Sequence, residues 1–143
     1  MSHIKTELSD GVLGIRFARA DKKNAITQAR AVIAGQDDPG VRVIVFGAEG
    51  DSFSAGNDIG DFASIAMSGT RPTDMAVFDF LKSLAYLDKP AVAAVRGRAV
   101  GIGLTLLLHC DLVVVAEDAL LSTPFVNLAL APEAASTLLL PMA

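Results

Sequence analysis

Short apolar runs separated by polar turns predict a hairpin, a helix and a buried strand in the first third of the chain. The runs "HIKTEL" (3–8) and "VLGIRFA" (12–18) alternate in polarity and flank a polar turn (9–11), as the two strands of a β-hairpin do. The segment "ARAVIAG" (29–35) predicts a short helix that ends at Gly35. The β-branched run "VRVIVFG" (41–47) has few charges, which predicts a strand buried on both faces.

Strand and helix patterns alternate through the rest of the chain. Thr73 is the expected N-cap of a helix within "DMAVFDFLKSLAYL" (74–87). The runs "AVAAV" (91–95) and "DLVVVAE" (111–117) predict strands, and "LTLLLHC" (104–110) between them predicts a helix. This order predicts an α/β fold with a core of buried parallel strands.

Two glycine-containing segments follow predicted strands and are candidates for binding a ligand through the backbone. The stretch "SFSAGND" (52–58) combines one aromatic with small and polar residues, which suits neither a packed helix nor a packed strand. The stretch "GRAVGIG" (97–103) opens the apolar helix, whose first N–H groups lack intrahelical partners. Two backbone donors that converge on one oxygen form an oxyanion hole. Each segment alone is more typical of an ordinary turn or of close packing; their pairing at equivalent sheet ends favours a site.

Composition and charge narrow the classes of function. The chain is 52% hydrophobic, with a mean hydropathy of +0.47, so we expect a large interior or apolar surface that a partner or further chain covers. The net charge of −4 gives no basic footprint, and we expect no nucleic-acid partner. Without a signal segment or a membrane-length apolar run, the sequence favours a cytoplasmic protein with no membrane partner. The single cysteine excludes an intramolecular disulfide, and no residue cluster has metal-ligand spacing.

Four segments resemble the crotonase family, the enoyl-CoA hydratase/isomerase superfamily, and follow its order over most of the chain. They are "DKKNAI" (21–26), "GAEGD" with "FSAGNDI" (47–59), the stretch 89–119 around "AVRGRAVGIG", and "STPFVNLALAPEAASTLLLP" (122–141). The resemblance implies an α/β fold of repeated ββα units, with residues 1–143 as a single crotonase-like core domain. Members of the family continue beyond "LLLPMA" with a helical region that closes the pocket and forms a trimer. That region is absent from these 143 residues, and the segment after Thr27 is short, so we expect an incomplete domain.

The resemblance implies a site for coenzyme A (CoA) thioesters, with CoA as part of the substrate and no separate cofactor or metal. The backbone amides of Asn57 and Ile102 would form the oxyanion hole around the thioester oxygen. Lys22 and Lys23 could face the CoA phosphates, although solvated lysines are the alternative. The residues expected to line the substrate are Lys23, Ala25, Ser54, Ala55, Gly56, Asn57, Asp58, Ile59, Gly101, Gly103 and Phe125.

The resemblance also indicates which reaction to expect. The two glutamates of family hydratases would fall at Thr105 and Phe125, and neither side chain can activate water. Glu133 matches the base of the peroxisomal-type Δ3,Δ2-enoyl-CoA isomerases, and its apolar neighbours would raise its pKa. A helix-capping role for Glu133 is the simpler alternative. We expect His109 to be structural rather than catalytic.

Three functions therefore stay open from sequence. The leading one is enoyl-CoA isomerisation with Glu133 as the proton-shuttling base. A hydratase, or another acyl-CoA lyase or hydrolase with a different base, is the alternative among enzymes. A non-catalytic acyl-CoA-binding or scaffold module is the alternative from another class, favoured by the loss of both hydratase glutamates. A homotrimer or a dimer of trimers is expected for the full chain.

Overall fold

The N-terminal hairpin forms as its alternating pattern predicts. In the computed structural model, which describes residues 3–26, 30–57 and 76–143, strand β1 (Ile4–Ser9) pairs antiparallel with β2 (Val12–Phe17). Asp10 and Gly11 connect them with φ angles of +51° and +80°. Positive φ at both central residues characterises the tight hairpin turn that matches strand twist.

The following strands come in pairs whose members lie in different sheets. The first sheet has the order β1-β2-β3-β5-β7, and the second has the order β4-β6-β8. The bounds are β3 (Val43–Ala48), β4 (Ser52–Ser54), β5 (Ala91–Val95), β6 (Arg98–Val100), β7 (Leu112–Val115) and β8 (Leu120–Ser122). Among the described residues the strands after the hairpin pair in parallel, and an isolated bridge between Ser52 and Gly97 is antiparallel. The chain thus steps from the first sheet to the second three times, as expected for repeated ββα units.

The helices begin and end at somewhat different residues from those that the sequence predicts. They are α1 (Arg30–Asp37), α2 (Ala76–Ala85), α3 (Ile102–Thr105) and α4 (Ser136–Leu139), with short 3-10 turns at Ala20–Lys22, Leu106–His109, Val126–Leu128 and Leu140–Met142. Helix α1 continues past Gly35, its expected end. The Lys89 ammonium donates to the Gly35 carbonyl oxygen at 2.9 Å and so satisfies a free acceptor of that last turn. Thr73, the expected N-cap of α2, lies outside the described residues.

One face of the first sheet builds the core, so the prediction that 41–47 is buried on both faces is wrong. Ile44 and Phe46 in β3 are completely buried, whereas Val43 and Val45 on the opposite face are only half-buried. Asp111 links two strands as its carboxylate accepts a 2.8 Å hydrogen bond from the Ala91 amide. The single thiol, Cys110, is half-buried, and burial raises its pKa to about 12.

The expectation of a loop at 52–58 is also wrong in part. Ser52–Ser54 form β4, in which all three residues are buried. Phe53 packs edge-on against Phe17 with ring centroids 5.4 Å apart, and this contact ties the second sheet to the first. Three-residue strands such as β4, β6 and β8 are too short to show a periodic pattern in sequence.

Exposed apolar side chains concentrate in the C-terminal part of the chain. Of the large hydrophobic residues described as exposed, most lie at 112–142, and Val126 is 90% exposed. Strand β7, predicted to be buried, is an edge strand with three of its four residues exposed. The high mean hydropathy therefore reflects surface as well as interior. Among the described residues, no helix is long and apolar enough to cross a membrane.

Candidate active site

The two glycine turns leave neighbouring strands of the second sheet. Strands β4 and β6 pair in parallel, with Ser52 opposite Arg98 and Ser54 opposite Ala99. The turns at 55–57 and 101–103 therefore start at the same edge of this sheet. From sequence the turns were expected directly after strands of the first sheet; this is wrong, because a short strand, β4 or β6, intervenes in each case. Their convergence is nevertheless as predicted, because carboxyl ends of adjacent parallel strands lie together.

Glycine is needed in both turns because the backbones touch. Gly56 has a φ of +91°, and a Cβ there would lie 2.8 Å from the Val100 carbonyl oxygen. A Cβ on Gly103 would lie 2.8 Å from the Ser54 Cβ. Such distances are shorter than a side chain can accept without a shift of the backbone. The first turn of α3 therefore packs directly on the end of β4.

Among the described residues, some backbone amides of the two turns donate a hydrogen bond and others do not. The Gly56 amide donates to Ser54 Oγ at 3.1 Å, and the Gly101 amide donates to the Ser122 carbonyl oxygen at 2.9 Å. Among the hydrogen bonds of the described residues, none is donated by the backbone N–H of Asn57 or of Ile102. For Ile102 this follows from its place as the first residue of α3, where no carbonyl precedes it in the helix.

A buried asparagine that the sequence pattern alone did not reveal, Asn24, holds the β3–β4 connection and the end of β4. Asn24 is 1% exposed, and its amide nitrogen donates to the carbonyl oxygens of Glu49 and Ser52 at 2.6 and 2.8 Å. Its carbonyl oxygen, Oδ1, accepts from the Arg19 amide, and its backbone oxygen accepts from Ser54 Oγ. Asn24 also has a φ of +55°, which asparagine tolerates better than most residues. A polar residue directly before the apolar pair 25–26 was the available signal.

Glu133 lies against helix α3. The Thr105 hydroxyl, which is completely buried, donates a 2.6 Å hydrogen bond to Glu133 Oε1. The second oxygen, Oε2, is buried and has no hydrogen-bond partner in the described structure. Thr105 follows Ile102 by three residues, so the two share a helix face with Cβ atoms about 5–6 Å apart. The Thr105 hydroxyl that holds the carboxylate thus belongs to a residue one helical turn after Ile102.

The surroundings of Glu133 favour its protonated form. Burial raises the pKa of the Glu133 carboxyl, while the hydrogen bond from Thr105 and the charge of His109 offset part of that rise. His109 has the structural role expected, because its Nε2 lies 3.0 Å from the Ala134 carbonyl oxygen. A carboxylate with a raised pKa and one unpaired oxygen is suited to accept and return a proton.

The other residues that were predicted to line the substrate differ in their solvent exposure. Lys23 is exposed and forms a 2.7 Å ion pair with Asp51, and this pairing lowers the pKa of the Asp51 carboxyl. Ala55, exposed, donates its amide to the Lys23 carbonyl oxygen, and the half-buried Ala25 follows in the same segment. The half-buried Phe125 precedes the 3-10 turn Val126–Leu128. Asp58 and Ile59 lie outside the described residues.

A cleft adjoins the first turn. It has a volume of about 260 Å³, and the residues that line it include Lys23, Asp51, Ala55, Arg98 and Asp118. Two cationic side chains therefore reach the same opening. Among the described residues, no group of three or more His, Cys, Asp or Glu side chains could hold a metal ion.

Comparison with known proteins assigns the chain to a family. The sequence profile described as enoyl-CoA hydratase/isomerase matches residues 7–143. Over 149 residues the chain is 35% identical to 4-chlorobenzoyl coenzyme A dehalogenase-1 from an Arthrobacter species, with 97% of this chain and 54% of the relative covered. It is also 35% identical over 142 residues to human enoyl-CoA delta isomerase 2, with 92% of this chain and 36% of the relative covered.

A comparison with a solved structure supports the same family assignment. The structure of OdaA from Pseudomonas aeruginosa superposes with a TM-score of 0.89 at 45% identity, covering 99% of this chain and 59% of that one. The chain thus spans about a third to three fifths of the length of these three relatives. Other relatives of similar identity are enoyl-CoA hydratases. With a profile match over nearly all of its residues and this structural agreement, the chain belongs to the enoyl-CoA hydratase/isomerase family, the crotonase superfamily.

Proposed function

We propose that this protein acts on acyl-CoA thioesters and isomerises 3-enoyl-CoA to 2-enoyl-CoA. The observation that carries the proposal is the position of Glu133, half-buried against α3 with one carboxylate oxygen unpaired. Family membership and the similarity to a human delta isomerase support the substrate class. The proposed reaction needs no separate cofactor or metal, since CoA is part of the substrate and Glu133 supplies the base.

The proposed chemistry needs one base and two amide donors. Glu133 removes a proton from C2 of the 3-enoyl thioester; the C2–H electron pair forms a C1–C2 double bond and the carbonyl π pair moves to the thioester oxygen, which gives a dienolate conjugated with the C3–C4 double bond. The amides of Asn57 and Ile102 stabilise the resulting dienolate oxygen; loss of one such donor typically costs about 10²- to 10³-fold in rate. Protonated Glu133 then returns the proton to C4, and the double bond lies between C2 and C3. No atom is gained or lost overall.

Hydration has less support from the residues. Thr105 and Phe125 stand at the positions where the resemblance places the two hydratase glutamates. Thr105 donates its hydroxyl to Glu133 and contributes no second carboxylate. Addition of water across a double bond needs a base for the water and an acid for the carbon, and one carboxylate shuttling a single proton suits isomerisation better.

The CoA moiety is proposed to bind along the first turn. The residues Lys23, Ala25 and Ser54 to Ile59 would face it, with Gly101, Gly103 and Phe125 around the thioester and acyl chain. Lys23 and Arg98 reach the same cleft, and their charges would attract the CoA phosphates. Asp51, which pairs with Lys23 at 2.7 Å, would have to release it at least partly.

The test supplies 3-enoyl-CoA and 2-enoyl-CoA separately and follows the products by absorbance and chromatography. We expect 3-enoyl-CoA to be converted and Glu133→Gln to lose this activity while still binding CoA. Glu7→Gln, an exposed glutamate on β1, is the matched control and should keep it. Conversion of 2-enoyl-CoA to a 3-hydroxy product without isomerisation would replace the proposal by a hydratase. Acyl-CoA binding without turnover would replace it by a binding module.

A further inference from the structure

Thr105 and His109 lie in one helical segment, and their side chains contact Glu133 and the residue that follows it, Ala134. Thr105 donates to Glu133 Oε1 at 2.6 Å, and His109 Nε2 contacts the Ala134 carbonyl oxygen at 3.0 Å. A carbonyl oxygen only accepts hydrogen bonds, so Nε2 carries the proton here. Thr105 and His109 are four residues apart, and the 3-10 turn Leu106–His109 directly continues α3. Because both side chains reach residues 133–134, they lie on the same side of this segment.

The segment that they hold has an unfavourable backbone. Ala134 and Ala135 both have φ angles of +53°, a left-handed conformation that is unfavourable for alanine. The Ser136 amide donates to the Glu133 carbonyl oxygen at 2.9 Å and closes this turn. Such a conformation persists where surrounding contacts over-determine it, and the His109 bond to Ala134 is one of these contacts.

The two carboxylate oxygens of Glu133 are in different situations. Oε1 is held by the buried Thr105 hydroxyl, whereas Oε2 is buried and has no partner among the described residues. An unsatisfied buried carboxylate oxygen is costly and uncommon in folded proteins. Among the described residues, His109 is the titratable group whose charge acts on this carboxyl.

We propose that Thr105 and His109 are positioning residues: Thr105 fixes Glu133 through Oε1 so that Oε2 exchanges the proton, and His109 holds the strained turn that carries the carboxylate. This inference rests on the proposed role of Glu133 as the base. The resemblance places a hydratase glutamate at Thr105. In the proposed isomerisation, which needs only one carboxylate, Thr105 instead positions Glu133.

The first test compares Thr105→Val, which keeps the shape and removes the hydroxyl, with Thr105→Ser, which keeps the hydroxyl. We expect Thr105→Val to lower kcat about 10-fold or more with little change in KM, since hydrogen bonds to charged groups are the stronger ones. Thr105→Ser should restore most of kcat. Thr6→Val, an exposed threonine on β1, is the control. Wild-type kcat in Thr105→Val would overturn the proposal.

A second readout does not depend on turnover. The pKa of the Glu133 carboxyl, followed by carbon-13 NMR without substrate, should rise in Thr105→Val, because the hydrogen bond that stabilises the carboxylate is gone. It should return towards wild type in Thr105→Ser. If the wild-type chain does not isomerise 3-enoyl-CoA, the proposed function fails, yet this comparison still decides the positioning. An unchanged pKa in folded Thr105→Val would overturn it.

His109 is tested by a pair of variants. His109→Gln places an amide donor near the same carbonyl oxygen, whereas His109→Phe places none there. We expect His109→Phe to lower kcat more than KM rises, and His109→Gln to keep most of the activity. Equal loss in both variants would show that His109 does not act through the Ala134 carbonyl and would overturn its part of the proposal.

Discussion

Gly103 packs so closely on Ser54 that a Cβ on Gly103 would lie 2.8 Å from the Ser54 Cβ and 2.9 Å from its carbonyl oxygen. The two residues belong to different strand–turn units, and this contact sets the distance between the turns that carry Asn57 and Ile102. The geometry of the candidate oxyanion hole therefore depends on position 103 being glycine, which has no side chain.

Gly103→Ala should damage both stability and activity. The added methyl group must displace buried backbone of β4, which we expect to cost about 1–3 kcal/mol in the free energy of unfolding. The matched control is Gly47→Ala, because a Cβ on Gly47 meets nothing within 4 Å. Urea denaturation of both variants measures the difference. Equal stability of the two would contradict the contact.

Asn24→Asp should destabilise the fold in a pH-dependent way. The change removes the amide donor to the carbonyl oxygens of Glu49 and Ser52 and brings a buried carboxylate towards them. We expect a loss of about 3 kcal/mol at neutral pH, which shrinks at low pH as the new carboxyl becomes protonated. Asn127→Asp, at an exposed position, is the control. Thermal unfolding at pH 4 and pH 7 distinguishes the two, and similar losses in both would count against the role of Asn24.

Activity and stability should respond to the ionisation of Glu133 in opposite directions. Its pKa is raised in the folded protein, chiefly by burial, so the carboxyl contributes stability that is present at low pH. That contribution is lost as the pH rises from about 4, where an ordinary glutamate ionises, through the raised pKa. Isomerase activity should rise over the same window, because only the carboxylate acts as a base.

Comparison with Glu133→Gln isolates this effect. The free energy of unfolding of the wild type should decrease relative to that of Glu133→Gln as the pH rises from 4 to 7. Chemical denaturation at a series of pH values measures it. A pH-independent difference would mean that the pKa of Glu133 is the same in the folded and unfolded chains.

Lys23→Ala should weaken binding of CoA. We expect the Kd for CoA to rise about fivefold, in the range of a partly exposed ion pair, and the effect to shrink at high salt. Lys5→Ala is a close control, since Lys5 also pairs with an acid, Glu49, and is 62% exposed, compared with 58% for Lys23. Calorimetric titration with CoA measures both variants. The same Kd for both would leave Lys23 as a solvated lysine.

Periodic and contiguous features were predictable from sequence. The hairpin follows from alternation on both sides of a turn that tolerates positive φ, and β5 (Ala91–Val95) has the predicted bounds. The second sheet was not predictable, because its strands have three residues each and no period is visible in so short a run. The burial of β7 was misjudged because an apolar run does not reveal whether another layer covers it.

The sequence by itself determined the family and the positions of the glycine turns and pointed to Glu133 as the candidate base, because these depend on residue types in a fixed order. Tertiary structure alone decided that Ser52–Ser54 form a strand, that Asn24 holds the connection between β3 and β4, and that Thr105 meets Glu133. These contacts join residues about 30 positions apart, and the pairing of short parallel strands in space brings them together. No local pattern encodes such pairing, since its stabilisation comes from burial shared among distant segments.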